Sequence, residues 1–176
     1  MKHIIAFGGS NSKNSINKQL AIYAASLIDD AKVTILDLND FELPIYGIDF
    51  EIEHGIPDTA FQFIDHIKSS DGIIISLAEH NGAYSTAFKN LFDWMSRAEQ
   101  KTFFKKPMLL MATSPGARGG QSVLGMANDR FPRHDAEITG MFSLPSFGTN
   151  FQDGKIINED LNNQLLNQVK QFQDKL

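Results

Sequence analysis

The sequence predicts an α/β domain built on an open parallel sheet of five strands. Short apolar runs alternate with longer segments of helical period five times along the chain. The run at residues 72–77 is continuously hydrophobic, as expected of a parallel strand that helices cover on both faces. Five such units, with helices long enough for right-handed crossovers, favour a three-layer arrangement with helices on both faces of the sheet.

The periodicity also predicts where each element lies. Strands are predicted at residues 4–7, 33–38, 72–77, 108–112 and 138–144, the last interrupted by a glycine. Helices are predicted after the candidate N-cap Ser15, through Phe88–Met95, and at residues 58–69, 121–131 and 158–175. Residues 39–57, with two prolines and two glycines, are predicted to be a long surface loop. No linker divides the chain, so residues 1–176 are predicted to form one domain.

Composition excludes several classes of function. The formal charge of −5 argues against a general nucleic-acid binder, which usually carries a basic face. With no cysteine, the chain has no disulfide, thiolate metal site or cysteine redox chemistry, so any redox activity must come from a bound cofactor. The histidines lack metal-ligand spacing such as H-E-x-x-H, and no G-x-S-x-G nucleophile motif is present. We therefore predict neither a metal site nor a hydrolase.

Targeting signals are not expected either. The apolar stretch at the N-terminus ends at Gly8 and is too short for a signal peptide. No segment approaches the length needed to span a bilayer, so no membrane partner is expected. The absence of cysteine is consistent with a cytoplasmic location, which is our expectation.

Three loops rich in glycine, serine and asparagine follow the first, third and fourth strands. They cover residues 8–15, 78–84 and 113–120. In the flavodoxin-like strand order 2-1-3-4-5 these three strands are neighbours, and ligands bind such sheets beyond the carboxyl ends of the strands. We therefore expect the three loops to form one ligand site.

The first loop has the chemistry of a phosphate site. Ser10, Ser12 and Ser15 supply hydroxyl groups, and Asn17 supplies an amide. The following helix adds unpaired N–H groups and the positive end of its dipole. The dinucleotide motif G-x-G-x-x-G and the P-loop ending G-K-[ST] are both absent, which favours a phosphate monoester. The alternative is a serine- and asparagine-rich helix cap with no ligand.

Motifs in all three loops match those of a known enzyme family. The first loop, G-S-N-S-K-N-S-I-N at residues 9–17, matches the family pattern G-S-x-R-x-x-S-x-N. The segments E-H-N-G at 79–82, K-N at 89–90 and D-W at 93–94 match P-E-Y-N-G-S followed by K-N-x-x-D-W. Ser114, Gly116, Gly119 and Gly120 fit the glycine-rich loop after the fourth strand. On these residues the chain resembles the NADPH-dependent FMN reductase family, from the N-terminus to about the fourth helix.

The resemblance implies a flavodoxin-like fold, FMN as cofactor and NADPH or NADH as co-substrate. It places the FMN phosphate against Ser10, Ser12, Ser15, Ile16 and Asn17. It places the isoalloxazine ring beside the backbone of Glu79, His80, Asn81 and Gly82. The other edge of the flavin is expected along Ser114, Gly116 and Gly119.

Three positions depart from the family pattern. Ser12 stands where an arginine is common, so charge pairing to the phosphate is lost there, with Lys13 and Lys18 as candidates to compensate. Ala78 replaces the usual proline, and His80 replaces the usual tyrosine. The His80 ring can stack on flavin, donate to a ring oxygen or supply a proton, since histidine is a common general acid. The favoured alternative is a loop histidine whose backbone matters while its ring faces solvent.

Other side chains also allow more than one interpretation. Tyr84 either caps the flavin edge or lies at a subunit contact. Arg118 either binds a phosphate, that of FMN or the extra one of NADPH, or is a solvated loop charge.

The predicted third helix, which contains Phe88–Met95, and the segment after the predicted helix at 121–131 have simpler expectations. Lys89 and Asp93, spaced i,i+4, are expected to pair with each other. Trp94 and Phe92 are expected to be packing residues, with a dimer interface as the alternative. His134 and its neighbour Asp135 are expected at the surface.

The resemblance implies an oxidoreductase that passes hydride from NADPH to bound FMN and then reduces a small-molecule acceptor: a flavin, a quinone, an azo dye or a metal ion. No catalytic side chain is predicted, because the cofactor carries the chemistry. A homodimer or homotetramer is implied, with the helix ending at Asp93-Trp94 as the interface element. The alternatives are an FMN-binding electron carrier or redox sensor without NAD(P)H activity, and a module that has lost FMN, which Ser12 favours.

Overall fold

A five-stranded parallel sheet with helices on both faces forms the centre of the structure, a computed structural model that describes residues 1–176. Its strands are β1 (Lys2–Gly9), β2 (Ala31–Leu36), β3 (Gly72–Leu77), β4 (Pro107–Thr113) and β5 (Glu137–Leu144). The spatial order is β2-β1-β3-β4-β5, and all four pairings are parallel. The predicted fold class and strand order are therefore confirmed.

Seven helices surround the sheet. They are α1 (Ile16–Ser26), α2 (Ile48–His54), α3 (Asp58–Ser69), α4 (Thr86–Ala98), α5 (Gln121–Arg130), α6 (Phe147–Asn150) and α7 (Glu159–Gln173). Side chains of α3, α4 and α5 form one buried apolar cluster with one face of the sheet, and α1 and α7 form a second with the other face. None of the helices is both long and apolar enough to cross a membrane.

Successive residues of the central strands enter opposite cores. Ile5 and Phe7 of β1 belong to the cluster under α3–α5, whereas Ile4 and Ala6 belong to the cluster under α1 and α7. This alternation follows from the period of two along a strand. It explains why β1 is predicted from a run of apolar residues with no polar face.

The segment at 39–57 is more ordered than predicted. A 3-10 turn at Leu38–Asp40 overlaps its start and the helix α2 lies within it, so the prediction of a long surface loop was wrong over Ile48–His54. The periodicity gave no signal because α2 buries none of its residues; Ile52, for example, is 77% exposed. Polar contacts hold it instead: Arg97 donates to both carboxylate oxygens of Glu51 at 2.8 and 2.9 Å, and the Tyr46 hydroxyl donates to Glu51 at 3.0 Å.

Candidate cofactor site

The three loops predicted to bind a ligand meet at the carboxyl edge of the sheet, around a cavity of about 290 Å³. Eight of the predicted site residues line it: Ser10, Ser12, Ser15, Ile16, Asn17, Glu79, His80 and Ser114. Four lining residues were not predicted as site residues: Asn14, Ala78, Thr113 and Pro115. Each of these four lies within or next to a predicted loop, so loop position was the only signal available for them.

The other four predicted residues, Asn81, Gly82, Gly116 and Gly119, do not line this cavity. Asn81 and Gly82 form the tip of a hairpin, and Gly116 is exposed on the loop after β4. Gly119 is buried with a φ of +58°, and a Cβ there would lie 2.9 Å from the backbone of both Leu144 and Pro145. The structure therefore requires glycine at 119 for packing against the end of β5.

The start of α1 offers a set of hydrogen-bond donors to the cavity. Ser15 is the N-cap, and its Oγ accepts from the backbone N–H of Lys18 at 3.1 Å. The N–H groups of Ile16 and Asn17 lie in the first turn, where a helix provides them no partner. The Ser10 Oγ accepts from the N–H of Ser12 at 3.1 Å, so both its hydrogen and that of Ser15 stay available to donate. Such donors at a positive helix end fit an anionic phosphate monoester.

Gly8 brings this helix close to the sheet. A Cβ at position 8 would lie 2.5 Å from the backbone nitrogen of Lys18 and 2.9 Å from its Cα. Only a residue without a side chain lets β1 pass this close beneath the first turn of α1. The glycine therefore sets the position of the N–H groups that face the cavity.

Asn17 connects three elements beneath the cavity. Its amide oxygen accepts from the Ser76 hydroxyl at 2.7 Å and from the Thr113 N–H at 3.0 Å, and its amide nitrogen donates to the Thr113 carbonyl at 3.1 Å. The residue is 2% exposed. One amide hydrogen is left for a ligand, and the rest of the group joins α1 to β3 and β4.

The loop after β3 is a short β-hairpin, in which residues 79–80 pair with 83–84. Asn81 and Gly82 form its turn with φ values of 53° and 76°, the left-handed pair that an Asn-Gly type I′ turn requires. The Ser85 hydroxyl, which also caps α4, donates to the Gly9 carbonyl at 2.7 Å. This bond joins the hairpin to the first loop. His80 lies at the cavity and is exposed.

The loop after β4 is held by the segment that follows β5. The backbone N–H groups of Ser146 and Phe147 donate to the carbonyls of Gly116 and Ser114 at 2.9 and 3.1 Å. Arg118 is exposed and donates to the Ser122 hydroxyl at 3.1 Å. It does not line the cavity formed by the three loops, which we call the loop cavity.

The cavity contains no lysine or arginine. Lys18 pairs with Asp37, and Lys13 is exposed outside the lining. The hydrogen bond from Lys18 is the main reason that the pKa of Asp37 lies below its usual value. A phosphate here would be held by hydroxyl groups, backbone N–H groups and the helix dipole.

A second cavity, of about 410 Å³, lies between α4 and α5 and includes Tyr84 and His134. The Tyr84 ring stacks on Phe131 at 6.1 Å, and burial raises the pKa of the phenol to about 12. Its hydroxyl is buried without a hydrogen-bond partner. Tyr84 therefore lines this second cavity and not the one formed by the loops.

The prediction that His134 lies at the surface was wrong, because the residue is only 6% exposed. Its ring lies 4.9 Å from that of Phe92, and Nδ1 donates to the Gln100 carbonyl at 2.8 Å. The other ring nitrogen, Nε2, is buried without a partner. A 3-10 turn at Phe131–His134 folds the ring onto α4, which the polar local sequence did not indicate.

Other expectations for α4 are confirmed. Lys89 Nζ lies 2.7 Å from both carboxylate oxygens of Asp93. Trp94 is fully buried, and its indole N–H donates to the Pro44 carbonyl at 2.8 Å. Trp94 and Phe92 are thus packing residues within the subunit.

Comparisons with known proteins agree with this architecture. The FerB flavoenzyme NAD(P)H:(acceptor) oxidoreductase from Paracoccus denitrificans superimposes with a TM-score of 0.78 at 24% identity, covering 99% of this chain and 96% of that one. Oxidised flavodoxin 1 from Bacillus cereus superimposes with a TM-score of 0.65 at 12% identity, covering 100% of this chain and 99% of that one. At these identities the likeness concerns the fold.

Sequence relatives carry related names. Quinone reductase from Escherichia coli is 31% identical over 122 residues, which are 66% of this chain and 62% of that protein, so the match spans less than two thirds of the relative. An NADPH azoreductase from a Bacillus species is 26% identical over 159 residues, 87% of this chain and 81% of that protein. A family model described as NADPH-dependent FMN reductase matches residues 2–147, most of the chain. The chain therefore belongs to the NADPH-dependent FMN reductase family.

Proposed function

We propose that this protein is an FMN-dependent oxidoreductase that takes hydride from NAD(P)H and reduces a small-molecule acceptor such as a quinone, a flavin or an azo compound. The observation that carries the proposal is the meeting of three loops around one cavity with free hydroxyl and N–H donors at a helix N-terminus. The family description names FMN and NADPH, and relatives are named quinone reductase and azoreductase.

The phosphate of FMN would be held by neutral donors. The hydroxyls of Ser10, Ser12 and Ser15, with the N–H groups of Ile16 and Asn17, supply enough donors to surround three phosphate oxygens. An arginine would add a positive charge and a bidentate pair to the phosphate, so we propose that FMN is held less tightly here than with an arginine at position 12.

The flavin ring would lie between the hairpin and the loop after β4. We propose that Glu79, His80, Asn81 and Gly82 border it through their backbone, with Ser114, Gly116 and Gly119 along the other edge. When bound, FMN would supply the redox chemistry, which is the transfer of hydride and of electrons. The chain would contribute binding and orientation, and a site that needs no catalytic side chain suits several acceptors.

An anaerobic titration tests this proposal. The purified protein, loaded with FMN, is expected to show a flavin spectrum that bleaches quickly when NADPH is added and recovers when a quinone follows. Bound flavin that NADPH and NADH leave oxidised would favour the alternative, an electron carrier or redox sensor. A protein that does not bind FMN would contradict both.

We also propose a homodimer or homotetramer in which the α4–α5 face is an interface. Supporting this, the cavity in that face contains the unpartnered Tyr84 hydroxyl and His134 Nε2, together with Asp129 and Arg130, which form no ion pair within the subunit. We propose a two-fold axis placed so that Asp129 of each copy faces Arg130 of the other, because such an axis makes every contact twice.

Light scattering after size exclusion tests the interface. The wild type is expected at twice or four times the subunit mass of 19.6 kDa, and Arg130→Glu is expected to lower that mass at low protein concentration. Arg133→Glu, an equal charge change at an exposed neighbouring position, is the control and should leave the assembly intact. A monomeric wild type would contradict the proposal.

A further inference from the structure

The N-terminus of α5 lacks a cap from its own sequence. Its N-cap residue is Gly120, in the left-handed region at φ 74°, and it has no side chain to accept from the first turn. A Cβ at this position would lie 2.9 Å from the Cβ of Ala112. The usual capping residues are therefore excluded at position 120, although the N–H groups of the first turn still need acceptors.

The missing acceptor comes from another loop. The Glu79 carboxylate, on the hairpin after β3, accepts from the N–H of Val123 at 2.9 Å. Val123 is the third residue of α5, the position that an N-cap side chain commonly bonds. The carboxylate also lies at the positive end of the helix dipole, where a negative charge is favourable.

This contact connects the two loops that would lie on either side of a flavin. Glu79 opens the hairpin after β3, and α5 begins where the loop after β4 ends. The opposite strand of the hairpin supports the same arrangement, because Tyr84 pairs with Glu79 across the hairpin and stacks on Phe131 just after α5. The hairpin is thus attached near both ends of α5.

We infer that Glu79 is a positioning residue for the cofactor, whose side chain fixes the spacing between the hairpin and the loop after β4. This inference rests on the proposed function, and it concerns the side chain rather than the backbone contacts proposed above. The carboxylate acts through Val123 and reaches no reacting atom. Without it, the loops would hold the binding spacing for a smaller fraction of the time, and apparent affinity falls in proportion to that fraction.

Three substitutions at Glu79 separate the effect of side-chain length from that of charge. Glu79→Ala leaves the Val123 N–H without its acceptor, and we expect the Kd for FMN to rise about tenfold, the scale of one unsatisfied N–H group. Glu79→Gln keeps an acceptor at the same reach and is expected to stay within about threefold of wild type. Glu79→Asp keeps the charge but is one methylene shorter, and it is expected to resemble Glu79→Ala.

The measurements are FMN fluorescence quenching for Kd, the midpoint potential of the bound flavin, and the melting temperature without FMN. Glu79→Ala and Glu79→Asp are expected to shift the midpoint potential, because the loops contact the ring, whereas Glu79→Gln should restore it. Glu99→Ala is the matched control: that carboxylate accepts from the Lys101 N–H at 3.3 Å, outside the cavity, and FMN affinity should not change.

Two results would overturn the inference alone. A lower melting temperature in Glu79→Ala with unchanged Kd and potential would show that the carboxylate only caps α5. Loss of affinity in Glu79→Gln with retention in Glu79→Asp would show that charge, and not the bond to Val123, matters. A wild type that does not bind FMN would overturn the proposed function as well, whereas the first two results leave that function intact.

Discussion

The Lys18 ammonium group, on the first turn of α1, is paired with the carboxylate of Asp37, the residue that follows β2. The pair directs the only lysine of that turn toward the second strand, and Lys18 does not line the loop cavity. Of the two candidates to replace the missing arginine at position 12, this one is therefore already engaged.

Introducing an arginine at position 12 should strengthen FMN binding. Ser12 is exposed and lines the cavity, so Ser12→Arg can place a guanidinium beside the phosphate without disturbing the core. We expect the Kd for FMN to fall about tenfold, since a guanidinium adds a positive charge and a bidentate pair to the phosphate. Fluorescence titration measures it. Gln171→Arg adds the same charge on α7 as a control, and an equal gain there would contradict local pairing.

The Lys18–Asp37 pair should make stability depend on pH. Because the pKa of Asp37 is lowered in the folded state, the stability it contributes is present above about pH 4, the unfolded value, and is lost as pH falls through the folded pKa. Asp37→Asn is expected to lower the melting temperature near neutral pH, and the difference from wild type should shrink below about pH 4. Asp49→Asn, at an exposed residue without an ion pair, should show no such trend. A difference in melting temperature that does not change with pH would contradict this role of the Lys18–Asp37 pair.

Replacing Gly8 should disturb the phosphate loop. Gly8→Ala places a methyl group against the backbone of Lys18, and we expect a loss of about 1–3 kcal/mol in the free energy of unfolding, typical of overpacking. Gly125→Ala is the matched control: position 125 lies within α5 with open space around it, so alanine should stabilise by about 0.5–1 kcal/mol. Urea unfolding measures both. Tolerance of Gly8→Ala would contradict the close contact.

The buried phenol of Tyr84 should affect stability in alkali. With a folded pKa of about 12, above its unfolded value of about 10, the group favours folding below pH 10 and this contribution is lost as pH rises. We expect the melting temperature of Tyr84→Phe to fall less steeply than that of wild type between about pH 10 and pH 12. Thermal melts across that range provide the measurement. Identical profiles would show that the hydroxyl is solvated.

Much of the fold follows from local pattern. The bounds of β3 and α3 match the sequence prediction, because continuous burial and a clear apolar face produce strong periodicity. Helix α2 was missed because its isoleucines are exposed and its polar contacts come from Arg97, distant in the chain. The burial of His134 was missed for a similar reason, since Phe92 lies some forty residues earlier.

The site was predictable by loop but not by side chain. The strand order alone brings residues 8–15, 78–84 and 113–120 together, which is why Ser10, Ser15 and Ser114 meet. Sequence does not reveal which polar groups are already satisfied. The pairing of Lys18 and the bond from Val123 to Glu79 each depend on two elements from different parts of the chain.

The three hydrogen bonds of the Asn17 amide restrict what mutation can do at that position. Aspartate would lack the donor for the Thr113 carbonyl, alanine would leave Ser76 and Thr113 without an acceptor, and glutamine would be one methylene too long. Nearly every replacement should thus reduce folded yield and turnover together. A mutational scan scored by turnover would rank Asn17 beside Ser10 and Ser12, and a parallel scan scored by folded yield would separate them, since only position 17 should score low in both.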